Sequence, residues 1–215
     1  MLLHPASVLV LASCLLVPGG DGPVPDVGIT GVVEPVPGPT TCLQGTHQLA
    51  CTGVLLQSDA VDLDALVGQD VKLLGSDVGV ECVVLDVAAA GVPPATLEMC
   101  GTPSGGCPIR IKVCPGGLSQ YWLFVSPTSG YLPLAPERGT WLLGEPSFLV
   151  AQGFGAGTCH QLDLTMPVTP LLVGAPLWMQ AGRREVGPIG PISLTNAICV
   201  IIYPVGGVPC VVPDC

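Results

Sequence analysis

The feature that most limits what this chain can become is the shortness of its apolar runs. Val, Leu and Ile come a few at a time, and Gly or Pro ends nearly every group, with 29 Gly and 24 Pro among 215 residues. A helix that buries one face needs about ten residues free of such breakers, whereas a strand needs only about five. The chain is therefore expected to be all-β. Abundant Gly and Pro can also mark disorder, but here they interrupt apolar segments and do not replace them. Aromatic residues make up only 4%, so Val, Leu, Ile and Ala must supply most of the core.

Cysteine usage sets the compartment. The cysteines are Cys14, Cys42, Cys51, Cys82, Cys100, Cys107, Cys114, Cys159, Cys199, Cys210 and Cys215. Cys14 lies inside the apolar run Ala6–Val17, which has the length of a signal-peptide core and is too short to span a bilayer. Residues 1–20 are read as a signal peptide, although no Lys or Arg precedes the run. Leu11-Ala12-Ser13-Cys14 also fits a bacterial lipobox, which would make Cys14 a lipidated first residue. Either route leaves an even number of cysteines from Cys42 to Cys215, as expected of a secreted or surface protein stapled by disulfides. Local pairing is expected, Cys51 with Cys82 and Cys210 with Cys215 or Cys199. No later run reaches the ~18 apolar residues of a transmembrane helix.

Charge narrows the partners. The formal net charge is −10, and the basic residues are only Lys72, Arg110, Lys112, Arg138, Arg183 and Arg184. Nucleic acid and anionic membranes need a basic stripe, and these residues do not form one in sequence. Arg183-Arg184, flanked by Gly, reads as a solvated pair in a turn.

Along the chain, residues 21–41 carry Pro or Gly every few positions and read as an extended linker. Residues 42–99 read as a small barrel-like module. Its strand candidates are Gln48–Ser58, Asp70–Ser76 and Val80–Ala89, with Ala95–Met99 as a further strand and a helical turn over Val61–Gly68. Residues 100–118, with Cys100, Cys107 and Cys114 spaced by seven, read as a Cys-rich hinge. Residues 119–203 hold candidates at Gln120–Ser126, Thr140–Leu143, Ser147–Gly153, Gln161–Met166, Leu177–Gln180 and Ala197–Tyr203, a spacing that suggests a β-sandwich. Residues 204–215 form a Cys-containing tail.

Two resemblances sit on these segments. The run LLQSDAVDLDALVGQDVKLLGSDVGVECVVLDV resembles OB-fold-like modules of exported bacterial proteins, which implies a small barrel and no catalytic element. The run from Leu162 to Ile202, with Trp178-Met179-Gln180-Ala181 and Thr195-Asn196-Ala197, resembles the C-terminal region of a secreted bacterial β-sandwich family of unknown function. That resemblance implies fold and export alone. Cys199 and the Cys210/Cys215 tail depart from the family pattern.

Candidate chemistry is sparse. His47 and His160 are the only histidines after the leader. No G-x-S-x-G or S-x-x-K presents a serine to either. Cys159 precedes His160, but neighbours on a strand point to opposite faces, so a disulfide is the expected fate of Cys159. The Cys100/Cys107/Cys114 spacing does not suit zinc. Asp59, Asp62 and Asp64 lack the Gly and Glu of a calcium loop and read as a solvated turn with a helix cap. Gly153–Gly157 reads as a turn, and not as a dinucleotide loop. Trp122, Trp141 and Trp178 are expected in the core, with sugar stacking as the other use.

The expected protein is a non-catalytic exported one, with no cofactor or metal site. It acts in structure or binding at the surface or outside the cell, and its partner is a glycan or a surface protein. A carbohydrate-binding module is the alternative, and a secreted hydrolase using His160 the third reading. Mass spectrometry of the exported chain should find its N-terminus within or shortly after Ser13–Pro25; an intact Met1 on cytoplasmic protein would contradict export.

Overall fold

The computed structural model describes residues 25–38, 45–114, 117–187 and 190–211. The expected signal segment, the lipidation candidate Cys14, and Cys42 and Cys215 lie outside them. The described chain is all-β. Its helical turns are two short 3₁₀ segments, Asp64–Leu66 and Pro170–Leu172.

Strands β1 (Val27–Pro35), β2 (His47–Leu49), β3 (Leu55–Gln57), β4 (Asp70–Asp77) and β5 (Val84–Gly91) close a barrel in the order β1-β2-β3-β5-β4. Every barrel pairing is antiparallel except β3 with β5. Its interior is aliphatic, built on Ile29, Val33, Leu49, Leu56, Leu73, Leu85 and Val87. The 3₁₀ turn between β3 and β4 is held by the Asp62 carboxylate, which accepts from the Ala65 amide at 3.3 Å. It gives way to Gly68 at φ +77°.

The first correction concerns residues 21–41. They are not simply a linker, because Val27–Pro35 is the barrel strand that pairs with both β2 and β4. Its burial is continuous from Val27 to Gly31, so it shows no polar/apolar alternation to read. Its glycines serve close packing: a Cβ on Gly28 would collide with the carbonyl of Pro136, and one on Gly31 would press Leu49 at 3.0 Å.

Strands β6 (Thr96–Gly101), β7 (Pro108–Cys114) and β12 (His160–Thr165) form a three-stranded sheet ordered β12-β7-β6. Strands β8 (Ser119–Ser126), β11 (Phe148–Gly155), β13 (Pro176–Glu185) and β14 (Ile192–Ile201) form a four-stranded sheet ordered β11-β8-β13-β14. The two sheets share one core, in which Leu97, Ile109, Ile111 and Val113 meet Leu123, Met179 and Ala181. A hairpin of β9 (Ser129–Pro133) and β10 (Thr140–Leu143) stands apart in pairing.

The hinge at 100–118 is thus a second correction, since β6 and β7 are core strands. Ile109, Ile111 and Val113 face inward and Arg110 and Lys112 lie outward in regular alternation. Ala95–Met99 likewise leaves the expected barrel and contributes to β6, paired with β7.

The disulfides correct the local pairing. Cys51 joins Cys199 across 148 residues, Cys107 joins Cys210 across 103, and Cys114 joins Cys159 across 45. Cys82 and Cys100 are also disulfide-bonded. Cys51 sits in the β2–β3 turn at φ +67°, beside β14 and not beside the β4–β5 loop. Barrel and sheets are therefore one covalent unit.

The seam between them is polar as well as covalent. Trp178 Nε1 donates to the Cys51 carbonyl at 2.7 Å, and Thr140 Oγ1 donates to the Gly28 carbonyl at 2.7 Å. Leu142 and Ala197 join the barrel's own core cluster. Gln180, fully buried, accepts from the Leu142 amide at 2.9 Å and donates to the Thr140 and Thr195 carbonyls, each at 2.9 Å. Asn196 does the same for β6, accepting from the Leu97 amide at 2.6 Å and donating to its carbonyl at 3.0 Å. Truncating either amide leaves buried main-chain groups unpaired, which costs ~1–3 kcal/mol per orphaned group. Gln180→Ala and Asn196→Ala should each lower the unfolding free energy by roughly 3 kcal/mol in urea titrations, whereas Gln161→Ala, exposed on β12, should stay within about 0.5 kcal/mol.

Candidate functional site

The four-stranded sheet has two faces, and only part of the outer one is covered by the barrel and the β9–β10 hairpin. Pairing registers order that face into rows. Leu149, Phe124, Gln180 and Ala197 form the first, which runs beneath the hairpin. Gln152, Trp122, Gly182 and Leu194 form the second, and Phe154, Gln120, Arg184 and Ile192 the third. Away from the seam the rows reach solvent: Phe154 is 63% exposed and Leu149 49%, with Gln152 and Arg184 also exposed.

Glycine shapes this surface. Gly182 leaves room on β13 for the Trp122 ring, whose Cε3 would lie 3.7 Å from a Cβ there. The half-buried indole is thus laid across the neighbouring strand. Phe124 is held edge-on by Trp141 of β10, with centroids 5.0 Å apart. Beside Trp122, a shallow depression of about 230 Å³ is lined by Gln120, Phe154, Arg184, Glu185, Val186 and Gly187. The site therefore offers aromatic faces beside an amide and a guanidinium, while the Glu185 carboxylate pairs with Arg183. That set suits a ligand with alternating apolar and hydroxylated faces.

Of the residues singled out in the sequence, Trp122 and Arg184 lie on this face and the others fall elsewhere. All three Trp residues are half-buried, and Trp178 and Trp141 are engaged as described. Arg183 and Arg184 are not in a turn but in β13, with Arg183 only 7% exposed and paired to Glu185 at 3.1 Å. Gly153 and Gly155 belong to β11, where a Cβ on Gly153 would collide with the Tyr121 ring. Asp59, Asp62 and Asp64 are exposed. His47 Nε2 lies 3.2 Å from Asp64 Oδ1. No group of three or more His, Cys, Asp or Glu is placed to hold a metal ion among the described residues. Cys100, Cys107 and Cys114 are engaged in disulfides.

His160 does find a serine that sequence reading missed. Its Nε2 shares a hydrogen bond with Ser119 Oγ at 2.8 Å, and its ring stacks on Tyr121 at 4.8 Å. Burial, and then the nearby Arg183, hold the imidazole below its ordinary pKa. Ser119 is fully buried, so its hydroxyl is not presented to a substrate carbonyl, and the pair closes the end of the core. Sequence spacing gave no hint of the pair, because the two residues meet across sheets 41 positions apart.

Two other concavities lie on the described surface. One of about 220 Å³ is almost purely apolar, lined by Val168, Pro170, Val173, Tyr203 and Val205 among others. Another of about 300 Å³ holds Asp70 between Gln69, Val71 and Val92. Asp70 Oδ1 is buried without a hydrogen-bond partner. Burial first, and Glu98 second, push its carboxyl up to about 6.

Comparison with known proteins adds no family: no protein-family model matches the chain, and no curated protein matches it.

Because the Asp70 pKa is raised on folding, its favourable contribution is complete below 3.8 and is lost as pH rises through about 6. Asp70→Asn should therefore raise the melting temperature at pH 7, with a gain of about 1 kcal/mol after allowing for solvent screening. The gain should fade below pH 6 and vanish near pH 4; a gain that persists in acid would contradict the assignment.

Proposed function

We propose that this chain is an exported, non-catalytic binding protein working at the cell surface or outside the cell, and that the outer face around Trp122 is its contact surface. The observation that carries the reading is the row of Trp122 and Gln152 beside that of Phe154, Gln120 and Arg184, on a sheet made rigid from behind. Aromatic faces stack on the C–H faces of sugars, while amide and guanidinium groups bond their hydroxyls. A glycan is accordingly the ligand class. The closed barrel, with its order β1-β2-β3-β5-β4, supports the OB-like reading of the first module, a scaffold that also serves oligosaccharides. The acidic balance of the chain speaks against its use for nucleic acid.

Export is supported by the disulfides, since all eight described cysteines are bonded and such bonds persist in oxidising compartments. The two strands that carry the β-sandwich resemblance supply Gln180 and Asn196, so the shared residues have a structural purpose and imply no activity. A hydrolase is disfavoured by the burial of Ser119.

Affinity electrophoresis through gels containing soluble polysaccharides tests the proposal. At least one glycan should retard the chain, and Trp122→Ala or Phe154→Ala should weaken that retardation about tenfold or more. His160→Ala should leave it unchanged. Absence of retardation by any glycan would favour a purely structural role, and turnover abolished by His160→Ala would restore the hydrolase.

A further inference from the structure

Strand β11 ends the four-stranded sheet, and among the described residues nothing pairs with its outer edge. Its sequence, Phe148-Leu149-Val150-Ala151-Gln152-Gly153-Phe154-Gly155, contains no charge. Phe148, Leu149, Val150 and Phe154 are 46–63% exposed. Open sheet edges template pairing with another strand, and natural proteins blunt them with charge, proline or coverage. A bulge between Leu149 and Ala151 bends β11, but its run carries none of those other devices.

The remaining edges of the two sheets differ. β6 and β14 are tied together by the Asn196 amide. β12 carries Asp163, bonded to Arg110 at 2.7 Å. β11 is thus the one neutral, apolar, open edge of these sheets among the described residues.

We infer that β11 is a dimerisation edge, pairing antiparallel with β11 of a second copy of this chain about a two-fold axis. Charge identifies the occupant. Two copies of a chain of net charge −10 repel wherever their carboxylates face each other, and β11, which carries no charge, is a strip along which they can approach without that repulsion. With one such edge per copy, the pairing closes as a dimer and does not propagate. Main-chain pairing also leaves Trp122 and Phe154 on the sheet face, so the inference stands independently of the glycan reading.

Sedimentation velocity of the oxidised, full exported chain between ~1 and ~100 µM should show a monomer–dimer equilibrium. Amides of Phe148–Gly155 should gain hydrogen-exchange protection as the dimer fills. Val150→Glu should weaken dimerisation at least about tenfold by setting carboxylates against each other, as should Val150→Lys; mixing the two should restore a heterodimer. A monomer throughout, a dimer indifferent to both substitutions, or dimerisation without protection of β11 overturns the inference. The exchange experiment needs no variant, so it decides the matter even if a substitution impairs folding.

Discussion

Strands β13 and β14 are covered on both faces, and most of the molecule follows from that constraint. Five consecutive residues of each are buried, Met179–Arg183 and Ser193–Ala197. One face looks into the core shared with β6, β7 and β12, and the other meets the barrel and the β9–β10 hairpin. Polar groups placed there cannot turn to water, so each must find a protein partner. Gln180 binds the main chain of the hairpin and Asn196 that of β6. Thr195 Oγ1 accepts from the Ala181 amide at 2.9 Å, where the β13–β14 register shifts. Side-chain amides thus extend a hydrogen-bonded network across breaks between sheets.

Coverage on both faces also decides where the disulfides go. Cys199 lies where β14 meets the barrel, so it bonds Cys51 in the β2–β3 turn and not a neighbour in sequence. Linking residues so far apart restricts the unfolded chain more than a local bridge does, typically by ~2–4 kcal/mol each. Cys107–Cys210 ties the C-terminal segment back onto the start of β7 in the same manner. What the crosslinks leave uncovered is the β8–β11 side of the outer face, which is where aromatic and hydrogen-bonding groups reach solvent together.

The all-β class was legible because breakers and short apolar runs are local signals, and β4, β8, β10 and β12 lie within about a residue of where alternation placed them. β1 was hidden because a strand buried on both sides has no alternation, and its Gly28 and Gly31 read as flexibility when they serve close approach. β7 was hidden by its flanking cysteines, although Ile109, Ile111 and Val113 alternate plainly. The motif residues Gln180-Ala181 and Thr195-Asn196-Ala197 were visible as a pattern, but their role as clamps depends on which strands lie opposite. The candidate surface was less legible still. Trp122 and Gln120 alternate on one strand, yet Phe154 and Arg184 join them only through pairing registers that span the length of the domain.

The central claim is that barrel and sheets form one cooperative unit joined at the Cys51–Cys199, Trp178, Thr140 and Gln180 seam. Differential scanning calorimetry of the oxidised protein tests it most directly. A single transition whose calorimetric and van't Hoff enthalpies agree is the expected result. Two resolved transitions, one for the barrel residues Val27–Gly91 and one for the remainder, would contradict it.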